Sequence, residues 1–324
     1  PAMKQALLDG DSSYLARQGI QQAEAGAHLL DVNVGLPGLD EAAAMKQAVK
    51  ALQEVLDLPL VLDSSSPAAL EAALRVYCGR AVINSVSGKE ESMAQVFPLA
   101  RKYGAMVIGL TLDENGIPSS ARERLAVAKK IRDRALSYGI PEERLLIDCL
   151  TLTVSAEQEA AAQTLEGLRR VKGELGLKTV LGVSNISFGL PGRPLINQNF
   201  LTMAMTCGLD LPILNPNVDA MMAAVRCYHL LMNIDTDARE FIAAYGNATV
   251  STSITSAAGM TAAPAAGEKR GLEEIVEAGL KGEAGEATRA LLESRAPLDV
   301  VDNVLIPALD RVGAAFEAGK VFLP

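Results

Sequence analysis

The chain has 324 residues, with 30 Lys and Arg against 39 Asp and Glu, for a formal charge of −9. That length admits one large domain and a small second one, and a hydrophobic share of 49% against 21% charged residues supports a packed core over a disordered chain. The acidic balance, with no Trp, 6 Phe and 6 Tyr, leaves neither a basic stripe for phosphates nor many stacking platforms for bases, so nucleic acid is not an expected partner. No uninterrupted apolar run of about 18 residues occurs. The opening PAMKQALLDGD lacks the apolar stretch of a signal peptide, so no membrane partner and a cytoplasmic location are expected. Cys78, Cys149, Cys207 and Cys227 are too far apart for a CxxC or zinc motif and read as buried, reduced thiols.

In chain order, residues 3 to 25 (MKQALLDGDSSYLARQGIQQAEA) read as helix before any strand. Seven apolar runs follow: HLLDVNV from His28, LVLDSSS from Leu60, AVINSVS from Ala81, AMVIGLTLD from Ala105, LLIDCLT from Leu145, TVLGVSN from Thr179 and LPILNPN from Leu211. They are continuous, not alternating, as expected of strands in a parallel sheet covered on both faces. Helical segments separate them. Ser66-Pro67 supplies an N-cap with Pro at the first helical position, and Ser155 is expected to open a helix that closes at Gly176. Units of about 30 residues with right-handed crossovers fit a (β/α)8 barrel. Seven strands against eight helices predict an α/β TIM barrel lacking its first strand, with the chain expected to continue upstream of Pro1; an open doubly wound sheet is the alternative.

After Tyr245 the composition turns to GNATVSTSITSAAGMTAAPAAGEKR, rich in Ala, Ser, Thr and Gly, which is linker chemistry. The expected division is a barrel over 1–245, a linker over 246–270 and a small all-α part over 271–324. In that last part LEEIVEAGL, GEATRALLESRA and PLDVVDNVLIPALDRVGAAFEAG give two to three amphipathic helices. So short a segment is too small to bury a core alone, and it is expected to continue past Pro324.

The polar residue at or beside the C-terminal end of nearly every strand is Asp or Asn: Asn33, Asp63, Asn84, Asp148, Asn185 and Asn215. In a barrel these ends converge on one mouth. Carboxylates and carboxamides without a Ser/His/Asp arrangement, metal-ligand pair or lysine nucleophile suit a flat heterocycle with N–H and C=O edges, its reactive centre supplied elsewhere. Each such residue could alone be an N-cap or Asx-turn residue, Asp63 least so, because Ser66 already caps its helix. His28 and His229 are expected to be structural. Gly35-Leu36-Pro37-Gly38 and Gly189-Leu190-Pro191-Gly192 read as type II turns. Arg193, just past the second turn, is a cation at the mouth, and Asp113-Glu114-Asn115-Gly116 reads as a solvated turn.

LVLDSSSP, AVINSVS, LLIDCLT and GVSNISFGLPGRPLINQNF together resemble, in order and spacing over residues 1 to about 245, the pterin-binding domain of methyltetrahydrofolate methyltransferases, most closely of the cobalamin-dependent methionine synthase type. The resemblance implies a (β/α)8 barrel that moves the N5 methyl group of methyltetrahydrofolate to cob(I)alamin. It implies pterin contacts at Asp63, Asn84, Asp148 and Asn185, and a folate contact at Arg193; Asn33 and Asn215 complete the expected lining. Asn185 is the candidate catalytic group, hydrogen bonding at N5. The tail VLIPALDRVGAAFEAGKVFLP resembles the helical cap that precedes a cobalamin domain. The family's strand-one Glu and Asn and its cobalamin-ligating DxHxxG motif lie outside these 324 residues. Cobalamin is therefore expected to be held by a domain in cis past the C-terminus, and homocysteine by a domain in cis or in trans. Three readings compete: a methyltransferase acting on a corrinoid iron-sulfur protein, a dihydropteroate synthase, and a non-catalytic folate-binding fragment.

Overall fold

The computed structural model describes residues 2–246, 271–277 and 281–317, and it divides into two compact units that are taken separately. The first unit opens with α1 (Ala2–Asp9) and α2 (Ser12–Glu24). The single helix expected over 3 to 25 is two, because Gly10 at φ 66 breaks it and the Asp11 side chain accepts from Tyr14 N to cap the second. Strand and helix then alternate: β1 (Leu30–Asn33), α3 (Glu41–Gln53), β2 (Leu60–Asp63), α4 (Pro67–Leu74), β3 (Val82–Ser87), α5 (Glu90–Tyr103), β4 (Met106–Leu110) and α6 (Ala121–Ser137). They continue through β5 (Leu145–Asp148), α7 (Ala160–Arg170), β6 (Lys178–Gly182), α8 (Arg193–Thr206), β7 (Leu211–Ile213), α9 (Asp219–Leu231) and α10 (Arg239–Tyr245). All seven expected strands are present. The seven strands are parallel and pair in chain order from β1 to β7, giving the nearly closed sheet of a TIM barrel.

Two sequence expectations need correction. The helix expected from Ser155 begins only at Ala160, because the Ser155 hydroxyl and that of Thr153 both donate to Phe188 O and hold the preceding segment as a loop. It does close at Gly176, at φ 65. Cys149 and Cys207 are buried thiols, but Cys78 and Cys227 are exposed, one in the loop after α4 and the other on α9, where the described residues leave them open to solvent. Elsewhere local chemistry behaves as read. Ser66 caps α4 with Pro67 following, and Ser120 and Glu123 form a reciprocal capping box on α6.

The strands carry two apolar faces. Leu60, Leu62, Ile83, Val107, Leu145, Ile147 and Leu181 face the helices and form the main core with Met45, Phe97, Ile131 and Leu168. Val61, Val82, Ile108, Leu146 and Val180 form a separate buried cluster inside the barrel, with Leu211 and Ile213 packed against it. Between the edge strands β1 and β7 lies a cavity of about 560 Å³ lined by residues of this inner face together with Asp31, His28 and His229. Below it Asp210 ties β6 to β7: its carboxylate accepts from Lys172 Nζ at 2.6 and 2.7 Å and from Thr179 N at 2.9 Å.

The second unit holds α11 (Leu272–Glu277), α12 (Lys281–Leu292), α13 (Pro297–Val300) and α14 (Ile306–Glu317), the last two joined by a π-helical turn over Val301–Leu305. Leu272, Val300 and Val304 cluster together, and Ile275 and Ala308 are buried with them in this unit. The expected linker over 246–270 lies, but for Gly246, outside the described residues.

Sheet and helix layer approach closely at β4. A Cβ built on Gly109 would stand 2.9 Å from Ile131 Cγ2 of α6, whereas one on Gly173 meets nothing within 4 Å. Gly109→Ala is therefore expected to lower unfolding free energy by roughly 1–3 kcal/mol through overpacking. Gly173→Ala should leave it unchanged or raise it by up to about 1 kcal/mol. Urea unfolding of both variants measures the contrast.

Candidate functional site

Side chains two apart on a strand share a face. Beyond Val61 of the inner layer stands Asp63, beyond Val82 Asn84, and beyond Leu146 Asp148, so each strand adds one polar group above the aliphatic layer. The register sets Asn33 beside Asp63 and Asp63 beside Asn84, while Asp148 lies level with Leu110 and Val180. Asn33 Nδ2 donates to Asp63 Oδ2 at 2.9 Å. The structure thus brings Asn33, Asp63, Asn84 and Asp148 to one end of the barrel, the end that carries active sites in this fold.

Asn185 sits just past β6 in a 3-10 turn over Val183–Ser187. It is exposed, and its carboxamide makes no hydrogen bond to the described residues. Arg193 opens α8 but is engaged locally: Nε donates to Ser187 Oγ at 3.1 Å, Nη2 to Ser184 O at 3.1 Å, and the guanidinium lies 4.6 Å from the Phe188 ring centroid. It braces the turn that presents Asn185. Asn215, past β7, accepts from Asn217 N at 3.0 Å in an Asx turn. Asn33 also closes such a turn, its Oδ1 accepting from Gly35 N at 3.0 Å, so it serves the loop and Asp63 together. The Asp113–Gly116 segment is a turn closed by backbone hydrogen bonds, with Glu114 accepting from Glu90 N at the start of α5.

The structure adds groups that were not singled out in the sequence. Asp31, two residues before Asn33, lines the cavity between β1 and β7, near enough to Asp63 to feel its charge. Desolvation beside the cavity's aliphatic lining, then the Asp63 charge, push its carboxyl up to about 6. Period-two spacing from Asn33 was the available signal. Glu41 accepts a hydrogen bond from Ser64 Oγ, and Ser64 N donates to Asn84 O at 3.0 Å, which fixes the loop after β2.

Asp148 is the most enclosed of the set. Burial pushes its carboxyl up to about 7, against the opposing pull of the Leu150 N–H and the Arg124 charge. Leu150 N donates to Oδ1 at 2.7 Å, and Thr111 donates through both N and Oγ1 to the Asp148 carbonyl at 3.0 Å. Arg124 of α6, fully buried, donates from Nε to Pro118 O at 2.9 Å and from Nη1 to Cys149 O at 2.9 Å, Leu150 O at 3.0 Å and Thr164 Oγ1 at 3.1 Å. Its Nη2 is buried with no partner, which carries a desolvation cost of roughly 1–3 kcal/mol. Beside it, burial pushes the Cys149 thiol far above its ordinary value, so it is no nucleophile at neutral pH. Among the described residues no cluster of His, Cys, Asp and Glu could hold a metal ion.

A carboxyl whose pKa rises from 3.8 to about 7 on folding keeps a proton that the unfolded chain has released, so stability falls as pH rises through that window. Asp148→Asn is therefore expected to flatten the loss of ligand-free stability between about pH 4 and 8 and to melt above the unsubstituted protein at the upper end. The gain should reach a few kcal/mol at about 1.4 kcal/mol per pKa unit. Thermal melts of both proteins across that range check it.

Known proteins are similar to this chain in sequence and in fold. The pterin binding enzyme family model matches residues 3–215, and a B12 binding domain model matches residues 271–324. A methylcorrinoid:tetrahydrofolate methyltransferase of Eubacterium limosum is 30% identical over 250 residues, 76% of this chain and 92% of that protein. The methionine synthases of Mycobacterium tuberculosis and Mycobacterium leprae are 35% and 34% identical over 225 residues, 65% of this chain but 19% of theirs, so the chain matches about a fifth of those longer proteins. The dihydropteroate synthase of Vibrio fischeri has the same fold, with TM-score 0.55 and 17% identity over 67% of this chain and 86% of that one. That of Xanthomonas albilineans, in complex with 7,8-dihydropteroate, has TM-score 0.53 and 22% identity over 68% and 84%. With the strand-end polar layer and these matches together, the chain belongs to the pterin binding enzyme family and carries a B12 binding domain match at its C-terminal end.

Proposed function

We propose that the barrel binds 5-methyltetrahydrofolate at its polar end and positions the N5 methyl group for transfer between the folate and a corrinoid. The observation that carries this is the layer of Asp63, Asn84 and Asp148 above a ring of aliphatic side chains. Such a layer offers hydrogen bonds around the rim of a flat heterocycle and hydrocarbon beneath it. Asp148 accepts the 2-amino and ring N–H edge of the pterin as a charge-assisted pair, one oxygen keeping its bond from Leu150 N. Asp63 and Asn84 fix the ring from the adjoining strands, and Asn33 orients Asp63. Asn185, with its free carboxamide, hydrogen bonds at N5, and Arg193 holds the turn that presents it. When bound, the corrinoid supplies the electron pair that takes the methyl group. The N5 to carbon bond breaks with its electrons left on nitrogen, and a proton neutralises the amine. Asp31, a carboxyl with pKa about 6 that lines the cavity beside the Asp63 charge, is the proton source suited to that step.

The helices of 271–317 fit a corrinoid in part. Leu298, Val301, Ile306 and Leu309 are exposed apolar residues able to cover the edge of a macrocycle. The chain's two histidines, His28 and His229, both lie in the barrel sequence, so residues 271–324 would offer a corrinoid apolar cover and no imidazole. The finer reading is the methionine synthase type, in which the methyl group passes on to homocysteine bound by another domain. It is supported by the B12 binding match in the same chain as the barrel. The relative from Eubacterium limosum supports a second reading, exchange with a separate corrinoid protein. Methyl transfer that requires only added cob(I)alamin and homocysteine-binding protein favours the first, and strict dependence on a corrinoid protein the second.

Calorimetry with methyltetrahydrofolate tests the site. Asp148→Asn is expected to weaken binding by roughly 1.5–3 kcal/mol for the charged hydrogen bond, with Asp113→Asn unchanged. Equal affinities for the two variants would remove Asp148 from the site. Asn185→Ala should lower kcat for methyl transfer more than it lowers folate affinity, because its bond strengthens as charge builds on N5.

A further inference from the structure

Leu150, two residues past Asp148, holds φ at 58, a left-handed conformation that a branched residue enters only when its surroundings impose it. That conformation turns the Leu150 N–H back onto Asp148 Oδ1 at 2.7 Å. What imposes it is visible beneath the turn. The guanidinium of Arg124 reaches from α6 and takes the carbonyl oxygens of both Cys149 and Leu150, while Thr164 of α7 accepts from Arg124 Nη1 and donates to Leu150 O at 3.0 Å. The same side chain takes Pro118 O, so the loops after β4 and β5 are tied to one planar group. A fully buried arginine with one nitrogen unpartnered is a poor filler for an apolar layer.

We infer that Arg124 is a positioning residue for the site. From the helix layer it clamps the turn after β5, so that the Leu150 N–H orients the Asp148 carboxylate and the remaining acceptor positions of that carboxylate face the ligand. The assignment rests on Asp148 being the ligand-facing group proposed above. Arg124 acts through the turn it holds, and its fork geometry, not its charge alone, is what the turn requires. The charged or titratable groups facing this corner are few: Arg124 from α6, Cys149 beside Asp148, and Glu157 of the following loop, which acts on Arg124.

The test reads the Asp148 carboxyl directly, by carbon NMR titration of the ligand-free protein with the signal assigned through Asp148→Asn, alongside calorimetry with methyltetrahydrofolate. In folded Arg124→Met the Asp148 midpoint should rise by about one unit with the cation gone. Affinity at pH 7 should fall about tenfold. Arg124→Lys keeps the charge but cannot span the carbonyls, so its midpoint should rise less than that of Arg124→Met, through the loosened Leu150 N–H bond alone, while affinity still falls. Leu150→Gly added to Arg124→Met should recover most of the affinity, because glycine enters the left-handed turn without a clamp. An unmoved midpoint in folded Arg124→Met, Arg124→Lys binding like the unsubstituted protein, or no recovery with Leu150→Gly would each overturn the clamp. If Arg124→Met does not fold, Thr164→Val, which removes the hydroxyl bridging Arg124 and Leu150, should raise the midpoint and weaken binding in the same direction, and no change in either overturns the assignment. Shifted midpoints together with no folate binding by the unsubstituted protein would support the clamp and reject the folate reading.

Discussion

The parallel ladder is the constraint on which everything else depends. Because its strands run the same way and pair in chain order, side chains at equivalent places in unrelated stretches of sequence become neighbours, Asn33 with Asp63 and Asp63 with Asn84. The inner face below them, Val61, Val82, Ile108, Leu146 and Val180, is hydrocarbon. Acid groups raised on that layer lose water without gaining a cation at contact distance, and their protons are held more tightly than usual. The raised carboxyls of Asp31 and Asp148 follow from this stacking of a polar layer on an apolar one. A site of this kind accepts hydrogen bonds from a heterocycle that replaces the lost water, so ligand binding relieves a cost already present in the folded chain.

Support for that layer comes from behind the sheet. Thr111 holds the Asp148 carbonyl, Ser64 joins the loop after β2 to Asn84 O and to Glu41, and Arg124 gathers three carbonyl oxygens from two loops. Each of these bonds immobilises a main-chain segment whose side chain faces the lumen. A binding group held by the fold loses little freedom when its ligand arrives, which favours affinity and orientation together. Asn185 is the exception. It stands exposed on a short turn braced by Arg193 and Phe188, and the freedom of its carboxamide suits a group whose partner changes charge during a reaction.

The small helical unit has a different physical character. Among its described residues the buried apolar side chains are Leu272, Ile275, Val300, Val304 and Ala308, while Leu298 and Leu309 remain largely exposed. Few buried apolar contacts per helix leave much of its amphipathic surface available for covering a flat hydrophobic group. This is consistent with the B12 binding match over the same residues.

What the amino-acid sequence determined by itself was the order of elements and the identity of the strand-end polar residues. Seven continuous apolar runs announce seven buried strands, and a residue such as Asp148 at the end of LLID needs only period-two counting to be placed at a mouth. Local chemistry was equally legible where the hydrogen bond is short in sequence, as at Ser66 and Gly176. The tertiary structure decided what depends on contacts between distant residues. Asp31 was passed over although period-two spacing from Asn33 marked it, because its nearness to the Asp63 charge exists only in the folded sheet. Ser155 reads as a helix cap until Phe188, 33 residues on, takes its hydroxyl. Arg124 looks like any charge on an amphipathic helix, and its burial under the β5 turn follows from α6 packing across β4 and β5. Propensity and spacing act within a few residues along the chain, whereas desolvation and carbonyl pairing act between segments that only the packed sheet brings together.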